Sequence, residues 1–205
     1  MSRQNETGEL PGRGRKDSIR AFICIEVPGA IKERIESLQR ALKKNDAQIS
    51  WVKPSNIHLT IKFLGDIPAP SVETVRGAVG RASRSIGEFE IEIGGAGCFP
   101  SPRSPRVLWV GLSGLPEALK RLHSNIENEL DREGFARERK RFSPHLTIGR
   151  VRSPHNAART AEDLIATGFE PEAFRATEVI VMRSDLNSAG SVYTPQATIK
   201  LSDGD

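Results

Sequence analysis

Two of the four histidines in this 205-residue chain sit in the same tetrapeptide, His-Leu-Thr-Ile, at His58 to Ile61 and again at His145 to Ile148. A single His-x-Thr on a strand is an ordinary half-polar pattern, and it is the exact duplication that calls for a chemical explanation. Alternate side chains of a β-strand face opposite sides, so His58 and Thr60 share one face with Lys62, while Leu59, Ile61 and Phe63 share the other. The second copy repeats the arrangement with His145 and Thr147 opposite Leu146 and Ile148. If two such strands meet, two imidazoles and two hydroxyls line one space. That set suits phosphoester chemistry: a neutral imidazole accepts a proton from water, an imidazolium donates one to a leaving oxygen, and hydroxyls donate to phosphoryl oxygens. Histidine suits both tasks because its ordinary pKa of about 6.5 keeps either form accessible near neutrality.

The elements that must position these groups are legible from periodicity. IRAFICIE (residues 19–26) reads as a strand, and Ile31, Ile35, Leu38 and Leu42 recur at helical spacing after Pro28. A turn at Lys53 to Asn56 precedes the first motif strand, expected from Ile57 to Leu64. A second helix carries Val72, Val75, Val79 and Ile86, and Phe89, Ile91 and Ile93 alternate as a following strand. CFPSPRSPR, from Cys98 to Arg106, holds three prolines and is expected to join two lobes. The pattern then recurs: a strand at 107–112, a helix with Leu115, Leu119, Leu122, Ile126 and Leu130, and the second motif strand at 145–151. A helix near 158–166 and strands at 174–182 and 192–201 close the chain. Two halves running strand, helix, motif strand imply an internal duplication with interleaved strands and helices.

Composition narrows the class. Charged residues make up 27% and hydrophobic residues 37%, ordinary for a globular domain, and no apolar run approaches the roughly 20 residues that span a bilayer. Residues 1–17 are polar and basic without apolar periodicity and are expected to be a disordered tail ahead of a single domain at 18–205. Cys24 and Cys98 match neither a metal-ligand spacing nor a disulfide framework, and with no apolar signal core a cytoplasmic protein is expected. The net charge of +4 favours an anionic partner. No carboxylate or cysteine stands at ligand spacing beside either motif, so the chemistry is expected to need no metal or other cofactor. His123, on a helix, and His155, in a loop, are expected to be structural or solvent-facing.

WVKPSNIHLTIKFLGD (residues 51–66) and RFSPHLTIGRV (residues 141–151) resemble the two signatures of the two-histidine phosphoesterase superfamily. Within it the chain is most similar to the RNA 2',3'-cyclic phosphodiesterases, also called 2'-5' RNA ligases. RAFICIEVP, GCFPSPRSPRVLWVGL and VIVMRSDLNSAGSVYTP extend the resemblance over about 180 residues, leaving out only the tail. The resemblance implies an α+β fold, bilobal and internally duplicated, with antiparallel sheets, outer helices and a central cleft. It implies metal-independent hydrolysis of an RNA terminal 2',3'-cyclic phosphate to a 2'-phosphomonoester. By position, His58 is the implied proton donor and His145 the acceptor, with Thr60 and Thr147 on the phosphoryl oxygens; the near-symmetric motifs by themselves allow either order. Arg150 matches a family arginine that would contact RNA, but strand alternation puts it with Ile148, away from the cleft unless the strand bends at Gly149. Phe63 and Tyr193 are candidate base-stacking residues, although alternation sends Phe63 into the core. The expected partners are RNA ends or 2',3'-cyclic nucleotides, without a membrane, and a monomer is expected. Two alternatives stand beside hydrolysis: reversible 2'-5' RNA ligation by the same histidines, and a non-catalytic RNA- or nucleotide-binding module. Hydrolysis is preferred over ligation because nothing in the sequence resembles an ATP-binding loop.

Overall fold

The computed structural model describes residues 18–188 and 190–202. The expected tail at 1–17 lies outside these residues. The strands are β1 (Ser18–Glu26), β2 (Ile49–Trp51), β3 (His58–Pro68), β4 (Phe89–Phe99), β5 (Val107–Leu112), β6 (Leu146–Val151), β7 (Glu172–Ala176), β8 (Glu178–Asn187) and β9 (Gly190–Lys200). The helices are α1 (Gly29–Leu42), α2 (Ser71–Ser83), α3 (Glu117–Arg132) and α4 (Ala157–Thr167). The fold is mixed α+β, with two antiparallel sheets, one ordered β3-β1-β8-β9 and the other β2-β6-β5-β4-β7. Each helix buries its apolar stripe: Ile31, Ile35, Leu38 and Leu42 of α1 and Leu119, Leu122, Ile126 and Leu130 of α3 are all buried. Among the described residues no helix is long and apolar enough to cross a membrane.

The halves are duplicated in order but exchange strands in space. β2 and β4, from the first half, lie in the sheet of β5 and β6, while β8 and β9 return to the sheet of β1 and β3. The Cys98 to Arg106 stretch ends β4 and turns into β5, and the two strands pair in one sheet from Ile93 opposite Leu112 to Phe99 opposite Val107. The expected single strand at 174–182 divides after Ala176: β7 pairs with β4, and β8 crosses to pair with β1 and β9. Composition marks where a chain turns; which sheet a strand joins depends on partners distant in sequence.

Each motif strand pairs with the first strand of its own half, β3 at the edge of its sheet and β6 between β2 and β5. β3 pairs with β1, β6 pairs with β5, and Cα atoms of β3 and β6 approach within 8 Å where the two sheets meet.

Candidate active site

Both motif strands carry a β-bulge at the same residue, the isoleucine that ends His-Leu-Thr-Ile. In β3, Thr60 is opposite Cys24 and Lys62 is opposite Ile23, leaving Ile61 as the extra residue. In β6, Thr147 is opposite Trp109 and Gly149 is opposite Leu108, leaving Ile148. A one-residue insertion reverses the alternation of every side chain beyond it. His58 and Thr60 keep the face they were expected to have, but Lys62 turns inward, 2% exposed, and Phe63 turns outward, 57% exposed. The expectation that Phe63 packs in the core and Lys62 joins the histidine face is therefore corrected by the bulge. Arg150, opposite Val107, is turned by the Ile148 bulge to the face of Thr147 and is exposed, with its charge felt at His145. Phe63 and Arg150 thus stand at the same offset from their histidines, five residues on.

The bulge at Ile148 is held from outside its strand. Its carbonyl accepts from the Val52 backbone N–H at 3.0 Å and from Gln39 Nε2 at 2.8 Å. Gln39, buried on α1, also donates to the Val52 carbonyl at 2.9 Å. At Gly149 a Cβ would meet Ile49 Cγ2 at 2.8 Å and the Trp51 ring at 3.2 Å, so β2 can lie this close only to a glycine. Glycine directly after the motif was the one sequence signal of the irregularity; nothing along α1 marked Gln39 as a partner.

The two imidazoles are pinned in the same way. His58 Nδ1 lies 2.8 Å from the Asn56 carbonyl, and His145 Nδ1 lies 2.8 Å from the Ser143 carbonyl. A carbonyl only accepts, so each Nδ1 carries a hydrogen and each Nε2 is the nitrogen left to exchange a proton. At His58 that Nε2 lies 3.1 Å from Thr60 Oγ1, which donates to it in the neutral form. Aromatic walls flank both rings. Phe22 stacks on His58 at 4.6 Å between centroids and Tyr193 meets it edge-on at 5.3 Å, while Phe99 stands edge-on to His145 at 5.1 Å. A cavity of about 310 Å³ opens beside His58, lined by Lys53, Asn56, Ser191 and Tyr193 among others.

Burial disfavours charge on both rings. His58 is lowered to about 4, chiefly by desolvation among these aromatics, partly offset by its bond to the Asn56 carbonyl. His145 is lowered too, by burial first, with the Ser143 carbonyl opposing and the Arg150 charge adding to the depression. The unfolded chain, with an imidazole near pH 6.5, binds the proton more readily, so this stability is present above that pH and is lost as pH falls from 6.5 toward 4. Wild type is expected to lose about 2 kcal/mol more than His58→Ala between pH 7 and pH 5, read from urea unfolding. Equal losses would show that His58 is not desolvated in solution.

A second polar cluster ties the two halves together behind β3. Lys62 Nζ donates to Glu127 Oε1 of α3 at 2.6 Å and to the Ala136 carbonyl at 3.0 Å. Glu127 Oε2 accepts the Glu138 backbone N–H at 3.2 Å, and Glu138 Oε1 accepts that of Phe63 at 3.3 Å. His123 stacks on Phe142 at 4.0 Å, in keeping with its expected structural place, and His155 lies exposed. The segment from 136 to 143 leading to His145 is therefore fastened to the strand of His58. Among the described residues no group of three or more His, Cys, Asp or Glu side chains is placed to hold a metal ion.

The sequence matches the family described as LigT like Phosphoesterase twice, over residues 25–109 and 110–193. It is 37% identical to an RNA 2',3'-cyclic phosphodiesterase of Methanothermobacter thermautotrophicus, across 89% of this chain and 99% of that protein. It is 31% identical to one of Thermotoga maritima, across 85% of this chain and 91% of that protein. Among solved structures it superposes on Escherichia coli LigT complexed with NADP+ with a TM-score of 0.72 at 26% identity, covering 92% of this chain and all of that one. A Thermus thermophilus structure aligns with a TM-score of 0.73 at 23% identity, a likeness of fold.

Proposed function

The chain belongs to the LigT like phosphoesterase family and hydrolyses 2',3'-cyclic phosphate, and from that premise we propose how its residues do so. His145 Nε2 takes a proton from a water whose oxygen attacks phosphorus. His58 Nε2, as imidazolium, gives its proton to the ribose 3'-oxygen as the bond from phosphorus to that oxygen breaks, leaving a 2'-phosphomonoester. Thr60 and Thr147 donate to the non-bridging oxygens, and Arg150, on their face, offsets the charge that grows there. The expected substrate is an RNA end or a 2',3'-cyclic nucleotide in a cytoplasmic setting. The observation that carries this reading is the matched pinning of both rings, since each Nδ1–H is spent on a backbone carbonyl and each Nε2 is left to exchange a proton.

The test is incubation with a 2',3'-cyclic nucleotide in EDTA, separating 2'- from 3'-phosphate. Full activity with only the 2'-phosphate is expected; a 3'-phosphate product would reverse the leaving group, and loss of activity in chelator would bring in a metal. Because both imidazoles are depressed, kcat/KM should follow a bell whose two limbs lie below about pH 6.5. A bound anionic phosphate favours the protonated ring, so the kcat profile is expected at higher pH. An optimum in kcat/KM above pH 7.5 would show that the free enzyme does not hold both rings neutral.

A further inference from the structure

Positive charge is distributed unevenly around the two histidines. Residues 93–116 and 139–161 contain no Asp or Glu, yet carry eight Arg and Lys, twice the net charge of the whole chain, +4. Six of them lie in segments that lead into or away from the His145 side: Arg103 and Arg106 in the β4–β5 turn, Arg139, Lys140 and Arg141 before β6, and Arg150. All six are exposed, and none has an ion-pair partner among the described residues. On the His58 side Lys53 lines the cavity, and Lys32 lies 3.9 Å from Glu26.

The tripeptide 139–141 is fastened at both ends, through Glu138 before it and Phe142 and Ser143 after it. On one side Glu138 is fixed to the Phe63 backbone and to Glu127. On the other, Phe142 stacks on His123 and the Ser143 carbonyl holds His145. Three unpaired cations thus lie between two anchored points, in the segment that leads directly to the Ser143 carbonyl and His145. The β4–β5 turn borders the same histidine through Phe99. An unneutralised basic rim beside a phosphate site suits the backbone of a single-stranded polynucleotide, which meets cations with little regard to sequence.

We propose that the RNA strand upstream of the cyclic phosphate leaves the cleft over the His145 side, its phosphates lying along Arg139, Lys140 and Arg141. This rests on the proposed function and adds to it a direction of travel and a preference for polynucleotide ends over mononucleotides. The enzyme reads chain length on this rim while chemistry proceeds between the histidines.

The experiment compares kcat/KM for a mononucleoside 2',3'-cyclic phosphate and for a pentanucleotide ending in the same group, from 50 to 300 mM salt, in wild type and in Arg139→Ala/Lys140→Ala/Arg141→Ala. For wild type the pentanucleotide is expected to be preferred at low salt, its log–log salt slope steeper than the mononucleotide's by about 2, near 0.7 per extra phosphate contacted. The triple variant should lose at least about tenfold on the pentanucleotide at 50 mM salt, flatten that slope, and keep mononucleotide turnover within twofold. The mononucleotide rate reports in the same assay that the variant is folded. Equal salt slopes for both substrates, or an unchanged pentanucleotide preference in the variant, would overturn the proposal. If wild type turned over neither substrate, the failure would belong to the catalytic reading; fluorescence anisotropy with a pentanucleotide lacking the cyclic end would then still test the rim by the same slopes.

Discussion

Replacing His58 or His145 with alanine is expected to lower turnover of a 2',3'-cyclic nucleotide by at least about 100-fold, the usual worth of a general acid or base. Both rings are held by Nδ1 with Nε2 left to exchange a proton, so neither is a spare. The two act in one step, and removing both should cost little more than removing the worse one. Substrate binding should change far less than kcat, because the phosphate contacts proposed for Thr60, Thr147 and Arg150 remain. His58→Ala also removes the ring stacked on Phe22, so its unfolding curve must accompany the rate. A variant that stays folded with near-normal kcat would take that histidine out of the mechanism.

The second large effect is expected on stability. Lys62 is 2% exposed and Glu127 6%, and their contact at 2.6 Å is among the most buried ion pairs described. Lys62→Met leaves a buried carboxylate without its cation, and a loss of about 3–5 kcal/mol is expected by urea unfolding, the cost of breaking rather than replacing such a pair. Lys62→Met/Glu127→Leu, which removes both charges, should recover most of that loss. A single variant within 1 kcal/mol of wild type would mean that the pair is not buried in solution. Because Lys62 also holds the Ala136 carbonyl and Glu127 the Glu138 amide, the single variant should lower kcat through misplacement of the chain leading to His145. In the double variant, regained stability without regained rate would separate this positioning from folding.

The role of Lys62 was hidden by an assumption. Strict alternation put it beside His58 and sent Phe63 inward; the Ile61 bulge reverses both. Arg150 followed the same course, read from spacing as pointing away and turned to the Thr147 face by the bulge at Ile148. In each motif the His and the Thr, which come before the bulge, keep the shared face that alternation gives them. At Ile148 the irregularity is held from outside the strand, by the Gln39 amide and the close approach of β2 to Gly149, and neither contact leaves a local pattern.

The sequence alone determined the element order, the apolar stripes of the helices, the duplication and the four polar groups of the two motifs, because these depend on periods of 2 and 3.6 residues and on residue type. Tertiary structure decided which sheet each strand joins, so that β4 and β5 on either side of the proline-rich stretch share one sheet and 174–182 is divided between two. It also decided which way the residues after each motif face, and how far burial lowers the two imidazoles. The physical reason is common to all of these. Pairing, bulges and desolvation are set by atoms brought close from distant parts of the chain, and no window along the sequence contains them.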